Sequence, residues 1–411
     1  MHRWPGMPPS PAISRLMWFF AVVYTVEGIG QAKSGIVWQP LTRFLKETQN
    51  WGPTEVSASL AVLDLPWVIK PLYGMVSDFL PLLGSRRRSW LLLANIAGVA
   101  AFVWVAQTAT PAGIIPALVL TAIAMAASST LCGALLVENG QRHGISGALV
   151  NQQWLFFNIA MIAASLLGGQ LSEHLSAQGA LQSAAWFAAA APLVVLPALL
   201  LVHEERAAID MTALRQRWSS LSQALRSRTL WLIAGFLFCY YFSPGFGTPL
   251  YYHMTDRLGF SQAFIGFLAS ANAAGWIAGG LVFRFGLRRL GTLALLRLSI
   301  IGGTVSTLAY LGLEGPNTAT AIYFFSGVAG MLANIATLTL AAESCPKGAE
   351  GFGFAALMSV INLATPLSDM LGAVLYEHAF AGRLAPLIVV AATFTMAALI
   401  LLRFMPRPSP H

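Results

Sequence analysis

Apolar runs of roughly twenty residues recur along this chain, with short polar connections between them. A helix of about 20 apolar residues crosses the hydrocarbon core of a bilayer, so each run predicts a membrane-spanning helix. Twelve segments qualify, at approximately 15–37, 55–79, 89–107, 113–137, 146–170, 181–202, 229–252, 262–284, 291–312, 318–341, 353–376 and 385–404. The pattern therefore predicts an all-α membrane protein with twelve transmembrane helices.

The longest polar interval runs from His203 to Arg228 and divides six spans from six. We interpret residues 1–202 and 229–411 as two pseudo-symmetric six-helix halves, and residues 203–228 as the linker that joins them. An arginine-containing turn at 286–291 occupies the position in the second half that an arginine-rich turn at 84–88 occupies in the first. This correspondence favours an internal repeat.

Charge is scarce and unevenly placed. Only 10% of residues are charged, against about 25% in typical soluble domains. The net charge is +8, and most basic residues fall in alternate connections. The positive-inside rule then predicts that both termini are cytoplasmic, in an inner (plasma) membrane. A basic face on a soluble fold is not evident, so we do not expect nucleic-acid binding. The three scattered cysteines do not indicate a disulfide framework.

Ionisable residues inside the spans are the first candidates for function, because a charge in the membrane interior is costly unless it is paired or hydrated. Span 1 contains Glu27, Gln31 and Lys33, span 2 contains Asp64 and Lys70, and span 11 contains Asp369. A rise of about 1.5 Å per residue places Glu27 roughly 18 Å from the inner end of span 1.

Two interpretations of these residues stay open. Glu27, Asp64 and Lys70 project into a shared polar cavity that handles substrate or protons, with Asp369 as the counterpart in the second half. Alternatively, they form structural salt bridges, for instance Glu27 with Lys70. Lys33 either joins this group or extends to the outer interface.

Aromatic and helix-breaking residues add two further expectations. Trp67, Trp154 and Tyr251 could stack against a flat ring. In span 7, Pro244 and Pro249 each remove a backbone hydrogen bond, which predicts a bend that could act as a gate.

Enzyme motifs are not evident: the chain has no Gly-x-Ser-x-Gly elbow, no phosphate-binding Gly-Lys-Ser/Thr loop and no His-Glu-x-x-His pair. We therefore expect no enzymatic activity, no cofactor and no metal.

Four stretches resemble one family of transporters. The first begins Pro-Trp-Val-Ile-Lys-Pro-Leu-Tyr-Gly at residues 66–74 and continues through Asp78 and Gly84 to Arg86, Arg87 and Arg88. The others lie at 147–154, 251–266 and 345–362, the last ending in Ala-Leu-Met-Ser-x-x-Asn at Asn362. The Gly…Asp…Gly…Arg pattern is similar to the loop between helices 2 and 3 of the major facilitator superfamily. The longer matches resemble its folate–biopterin transporter family.

The resemblance implies the major facilitator fold and alternating access around a midplane site. It also implies that the substrate is a small organic anion such as a folate or pterin, carried by proton symport. It implies a gating role for Gly74, Asp78, Gly84 and Arg86–Arg88, to which Glu138 would contribute. The alternative for this turn is that its arginines serve only as topogenic charge. Asn362 would join the substrate site, and we expect a monomer. A siderophore or muropeptide permease of the same fold remains an alternative, as does a receptor or scaffold that does not transport.

Overall fold

The computed structural model describes residues 11–31, 33–202, 204, 226–345 and 350–405. The two ends of the chain and most of the predicted 203–228 linker lie outside these residues, as does the Pro346–Ala349 part of one family-like stretch. Within the described residues the regular structure is helical, which agrees with the predicted all-α class.

Fifteen α-helices follow one another through the described residues. They are α1 (Pro11–Gly30), α2 (Trp38–Arg43), α3 (Pro53–Val68), α4 (Lys70–Phe79), α5 (Arg88–Gln107), α6 (Pro111–His143), α7 (Ser146–His174), α8 (Ala177–Ala198), α9 (Arg228–Tyr241), α10 (Gly247–Asp256), α11 (Gln262–Val282), α12 (Thr292–Ala309), α13 (Pro316–Glu343), α14 (Glu350–Val374) and α15 (Leu384–Leu401).

Successive spans run in opposite directions, so the connections alternate between two ends of the molecule. We call the end that carries Arg86–Arg88 the arginine end, and the opposite end, where α2 lies, the far end. Eleven helices of the described residues are long and apolar enough to cross a membrane. The molecule is thus a multi-pass membrane protein.

The one predicted span that is not among these eleven helices is span 7, which is divided into α9 and α10. With a rise of about 1.5 Å per residue, α9 is roughly 21 Å long and α10 roughly 15 Å, so neither piece alone crosses the bilayer. The break at 242–246 contains Pro244 and Gly245, which confirms the bend predicted from the prolines. The break packs on α14, where the Gly245 N–H donates to the Ser368 carbonyl at 2.9 Å.

Span 1 is also interrupted, which the sequence did not predict. We expected one helix over 15–37, but α1 ends at Gly30 and α2 begins at Trp38. Gly35 turns the chain here: its N–H donates to the Gln31 carbonyl at 2.7 Å. A Cβ on Gly35 would collide with the carbonyls of Ile29 and Gln31, so this turn requires glycine.

Span 2 has a smaller irregularity at Ile69, where α3 ends and α4 begins. Pro71 has no N–H, so it leaves the Trp67 carbonyl without its helical donor. The Asn362 side-chain amide, from α14, supplies that donor at 2.9 Å. A side chain of the last six spans thus completes the backbone of the first six.

The apolar core is joined at one end of the molecule and divided at the other. A single buried cluster at the far end contains residues of both the first six and the last six spans, among them Phe44, Phe102, Tyr251 and Leu387. Toward the arginine end there are two separate clusters, one around Phe19 and Leu131 and the other around Leu237, Ile300 and Leu357. A cavity lies between these two.

Candidate functional site

The cavity has a volume of about 1330 Å³ and runs from mid-depth polar residues to the arginine end. Its walls come from α1, α3, α4, α6 and α7 of the first six spans and from α9, α13 and α14 of the last six. Nine of the ten residues predicted to bind substrate or protons line it: Glu27, Gln31, Lys33, Asp64, Trp67, Lys70, Trp154, Asn362 and Asp369.

Lys33 lies between two carboxylates at the far-end limit of the cavity. Its Nζ donates to Asp64 Oδ2 at 2.7 Å and to Asp369 Oδ2 at 2.8 Å. Asp64 belongs to α3 and Asp369 to α14, so this three-residue cluster joins the first six spans to the last six. The interruption of span 1 allows this contact, and Lys33 does not extend to the outer interface.

Glu27 and Lys70 form a second polar cluster with Ser129. Lys70 Nζ donates to Ser129 Oγ at 3.1 Å, and Ser129 Oγ donates to Glu27 Oε1 at 2.9 Å. The predicted direct Glu27–Lys70 salt bridge is absent from the ion pairs of the described residues, because the serine hydroxyl stands between the two charges. The cavity therefore holds two separate charge clusters and not the single Glu27–Asp64–Lys70 group we expected.

Two tryptophans present aromatic surface to the cavity. Lys70 Nζ lies 4.8 Å from the centre of the Trp67 ring, within the range of a cation–π contact. Trp154 on α7 stacks against Trp276 on α11, with ring centres 6.1 Å apart and planes inclined by 23°. Each ring is held in place by a neighbour, which leaves a fixed aromatic wall.

Several polar lining residues were missed by the sequence analysis, among them Ser129, Tyr24 and Asn334. Ser129 joins the Glu27 cluster, while the hydroxyl of Tyr24 and the amide nitrogen of Asn334 are buried without a hydrogen-bond partner in the described part of the chain. Buried polar groups without partners are uncommon, so these two are available to water or to a ligand. A serine, a tyrosine and an asparagine within apolar helices give no distinctive sequence signal.

Tyr251 is not among the lining residues, so the structure does not support its predicted place in the substrate site. It is fully buried in α10 at the far end. Its hydroxyl donates to Gln262 Oε1 at 3.0 Å, and its ring meets Trp38 edge to face. These contacts pack it into the core that both sets of spans share.

The predicted gating residues meet at the arginine end. Arg87 is 7% exposed, and its guanidinium lies 2.6 Å from Asp78 Oδ1 and 3.3 Å from Glu138 Oε1. The same group donates to Ser77 Oγ at 2.6 Å. Asp78, Arg87, Glu138 and Gly74 line the cavity. Arg87, Asp78 and Glu138 thus form one ion-pair network at the arginine end.

The other gating residues lie in the turn itself, where Gly84 has a positive φ of 76°. The carboxylate of Glu204 accepts the backbone N–H groups of Arg86, Arg87 and Arg88 at 2.9–3.1 Å. Glu204 thereby caps α5, because these N–H groups have no partner within the helix. The side chains of Arg86 and Arg88 do not line the cavity.

Further hydrogen bonds between the first six and the last six spans cluster at the far end. Gln39 donates to the Gln262 side chain at 2.9 Å, and Lys46 forms an ion pair with Asp256. The Thr54 N–H donates to Glu377 at 3.0 Å. Together with the shared apolar core, these contacts close the far end of the cavity.

Known proteins resemble this chain over nearly its whole length. The family model described as the BT1 family matches residues 29–410. The "Folate-biopterin transporter" of Synechocystis sp. is 29% identical over 95% of this chain and 81% of its own length. The "Probable folate-biopterin transporter 2" of Arabidopsis thaliana is 24% identical over 88% of this chain and 77% of its own length.

Solved structures show the same fold at low sequence identity. A crystal structure of a variant of the nucleoside transporter NupG matches with a TM-score of 0.73 at 15% identity, covering 95% of this chain and 99% of NupG. A D-xylose-proton symporter matches with a TM-score of 0.73 at 14% identity, covering 97% of this chain and 99% of the symporter. The fold is therefore that of the major facilitator superfamily, as the resemblance implied.

The relatives and structural neighbours are transporters and not enzymes, and they imply a small-molecule substrate. The sequence match, the helical fold and the polar cavity between two sets of six spans agree with one another. This chain is a membrane transporter that belongs to the BT1 family.

Proposed function

We propose that the protein carries a folate- or pterin-like organic anion across an inner (plasma) membrane by alternating access, together with a proton. The observation that carries this proposal is the Glu27–Ser129–Lys70 cluster beside Trp67 in the cavity. Relatives named as folate–biopterin transporters support the substrate class. We further propose that the arginine end and both termini face the cytoplasm and that the monomer is the transporting unit.

The cavity offers chemistry that suits such a substrate. Trp67 and Trp154 provide faces for a flat ring, and the unpartnered groups of Tyr24 and Asn334 can bind its polar edge. Lys70 provides a cation for a carboxylate. The volume of about 1330 Å³ exceeds the 300–1,000 Å³ that is common for small-molecule pockets, which leaves room for an elongated anion and water.

The proposed proton coupling uses the way Ser129 joins Glu27 to Lys70. While Glu27 is ionised, the ammonium group of Lys70 is oriented toward it through the serine hydroxyl. A proton on Glu27 removes that negative charge, and Lys70 then becomes available to the carboxylate of the substrate. Substrate anion and proton are thus favoured to bind together.

The conformation described here belongs to one half of the proposed cycle. The far end is closed by the shared core and the Lys33 cluster, and the cavity extends to the arginine end. We infer that the two sets of six spans rock about the bound substrate, so that the far end opens when the arginine end closes.

The test is uptake of labelled folate into proteoliposomes, with and without an inward proton gradient. The wild type should show gradient-driven uptake, and Glu27→Gln should lose the response to the gradient. Glu47→Gln is the matched control, because Glu47 lies at the far end, outside the cavity, and pairs with Arg43. If a folded wild-type protein takes up no folate in either orientation, the proposed substrate is wrong.

A further inference from the structure

The Lys33 cluster contains one more negative charge than positive charge. Asp64 and Asp369 both place an oxygen within 2.8 Å of the same ammonium group. All three side chains are largely shielded, with exposures of 26% for Lys33, 16% for Asp64 and 27% for Asp369. An uncompensated charge is costly in a membrane interior. A carboxylate that loses its contact with Lys33 is therefore strongly disfavoured in its ionised form.

The three members do not belong to the same moving part. Lys33 and Asp64 come from the first two spans, whereas Asp369 comes from span 11. Any separation of the two sets of spans at the far end must pull Lys33 away from Asp369, while Asp64 can stay with it. Asp369 is therefore the carboxylate that loses its cation when the far end opens.

In the described part of the chain, Asp369 has no ion pair other than the one with Lys33. The break in span 7 packs directly against it: a Cβ on Gly245 would collide with Asp369, and the Gly245 N–H is already bonded to the Ser368 carbonyl. Several titratable groups on the elements packed against α14 have partners of their own: Lys70 with Ser129, Tyr241 with Thr337, Tyr251 with Gln262, Tyr252 with Trp51, Asp256 with Lys46, and Glu377 with the Thr54 N–H. The basic side chains of Arg228, His253 and His378, which also lie on these elements, form no ion pair with Asp369 among the described residues.

We propose that Asp369 takes up one proton when the far end opens and gives it up when the far end closes, with Lys33 as the cation that displaces it. In the opening step, the Lys33–Asp369 ion pair separates, Lys33 stays an ammonium paired with Asp64, and a proton from the far-side solution converts the Asp369 carboxylate to a carboxyl. In the closing step, Lys33 returns to Asp369 and the proton leaves into the cavity. The proposal rests on the alternating access of the proposed function, but not on its substrate.

This arrangement makes opening of the far end dependent on pH. If opening binds one proton, the ratio of open to closed molecules rises by up to about tenfold for each pH unit of acidification. The ratio can be measured without substrate, from the distance between spin labels at Thr48 and Asn317. Both positions are exposed at the far end, one in each set of spans, and the chain would carry replacements of its three cysteines.

Three variants distinguish proton-linked opening from a general weakening of the contacts at the far end. Asp369→Asn should leave the open-to-closed ratio independent of pH. Lys33→Gln should also abolish the rise on acidification, because the closed state then holds two adjacent carboxylates and itself favours a proton. Lys46→Gln is the matched control: it breaks another far-end ion pair, but one with balanced charge, so it should favour opening and keep the wild-type pH slope.

The proposal is overturned if the wild-type ratio does not change with pH, or if Asp369→Asn keeps the wild-type slope. These outcomes are distinct from failure of the proposed substrate. A pH-dependent distance in a protein that does not transport folate would refute the substrate and leave the role of Asp369 intact. Folate uptake together with a pH-independent distance would support the substrate and refute the role of Asp369.

Discussion

Replacing Arg87 by alanine should destabilise the protein far more than the same change at its neighbour Arg86. The Arg87 side chain is 7% exposed and pairs with Asp78, which is 16% exposed. Removing one member of a buried ion pair costs about 3–5 kcal/mol, because the remaining charge keeps its desolvation cost. The contact with Glu138 adds less than about 1 kcal/mol, since Glu138 is 48% exposed.

Arg86→Ala is the matched control, because both arginines lie in the same turn and both backbone N–H groups stay bonded to Glu204. Its cost should be within about 0.5 kcal/mol, as for ordinary surface substitutions. The measurement is the free energy of unfolding in mixed micelles, compared with the wild type in the same detergent.

The double variant Asp78→Ala/Arg87→Ala provides the sharpest test of this reasoning. Removing both charges leaves neither of them buried alone, so the double variant should be more stable than Arg87→Ala by itself. If the two single losses simply add, Asp78 and Arg87 are not coupled. In that case the turn contributes only its charge to topology, as the alternative reading of an arginine-rich turn would have it.

Three further predictions concern the cavity and its walls. Asn362→Ala should lower the unfolding free energy by about 1–3 kcal/mol, because it leaves the Trp67 carbonyl without a donor; equal stability of the variant and the wild type would contradict this. Gly372→Ala should greatly reduce the yield of folded protein, since its Cβ would collide with the span 7 backbone. Gly235→Ala should be tolerated in the same expression assay, because its Cβ would meet no atom of the described residues within 4 Å. Ser129→Ala should fold normally yet weaken the response of uptake to a proton gradient, and an unchanged response would remove Ser129 from the coupling.

The twelve apolar runs were sufficient to predict an all-α membrane protein, because lipid contact demands apolar side chains over a fixed length. The major facilitator fold was predicted from the resemblance of the four sequence stretches. The break in span 7 could also be predicted, since Pro244 and Pro249 cannot donate backbone hydrogen bonds. The break in span 1 could not. It depends on the turn at Gly35, and a glycine within an apolar helix is common in any membrane bundle.

The site was predicted as a set of residues but not as an arrangement. Ionisable residues within spans stand out by their cost, which is why Lys33, Asp64 and Asp369 were recognised. The contact between them could not be predicted, because Lys33 and Asp369 are 336 positions apart in the chain and spacing alone cannot show that they meet. Ser129 shows the converse, because a single hydroxyl in an apolar helix gains its importance only from the charges that fold onto both sides of it.

The contact between the span 7 break and α14 has a consequence for the biogenesis of the protein. The break is completed by Ser368, which accepts from the Gly245 N–H and donates to the Ser243 carbonyl. Span 11 is synthesised more than one hundred residues after span 7, as the separation of 125 positions between Ser243 and Ser368 shows. Span 7 must therefore enter the membrane before the partner that satisfies its backbone exists, and it reaches its final shape only after translation of α14.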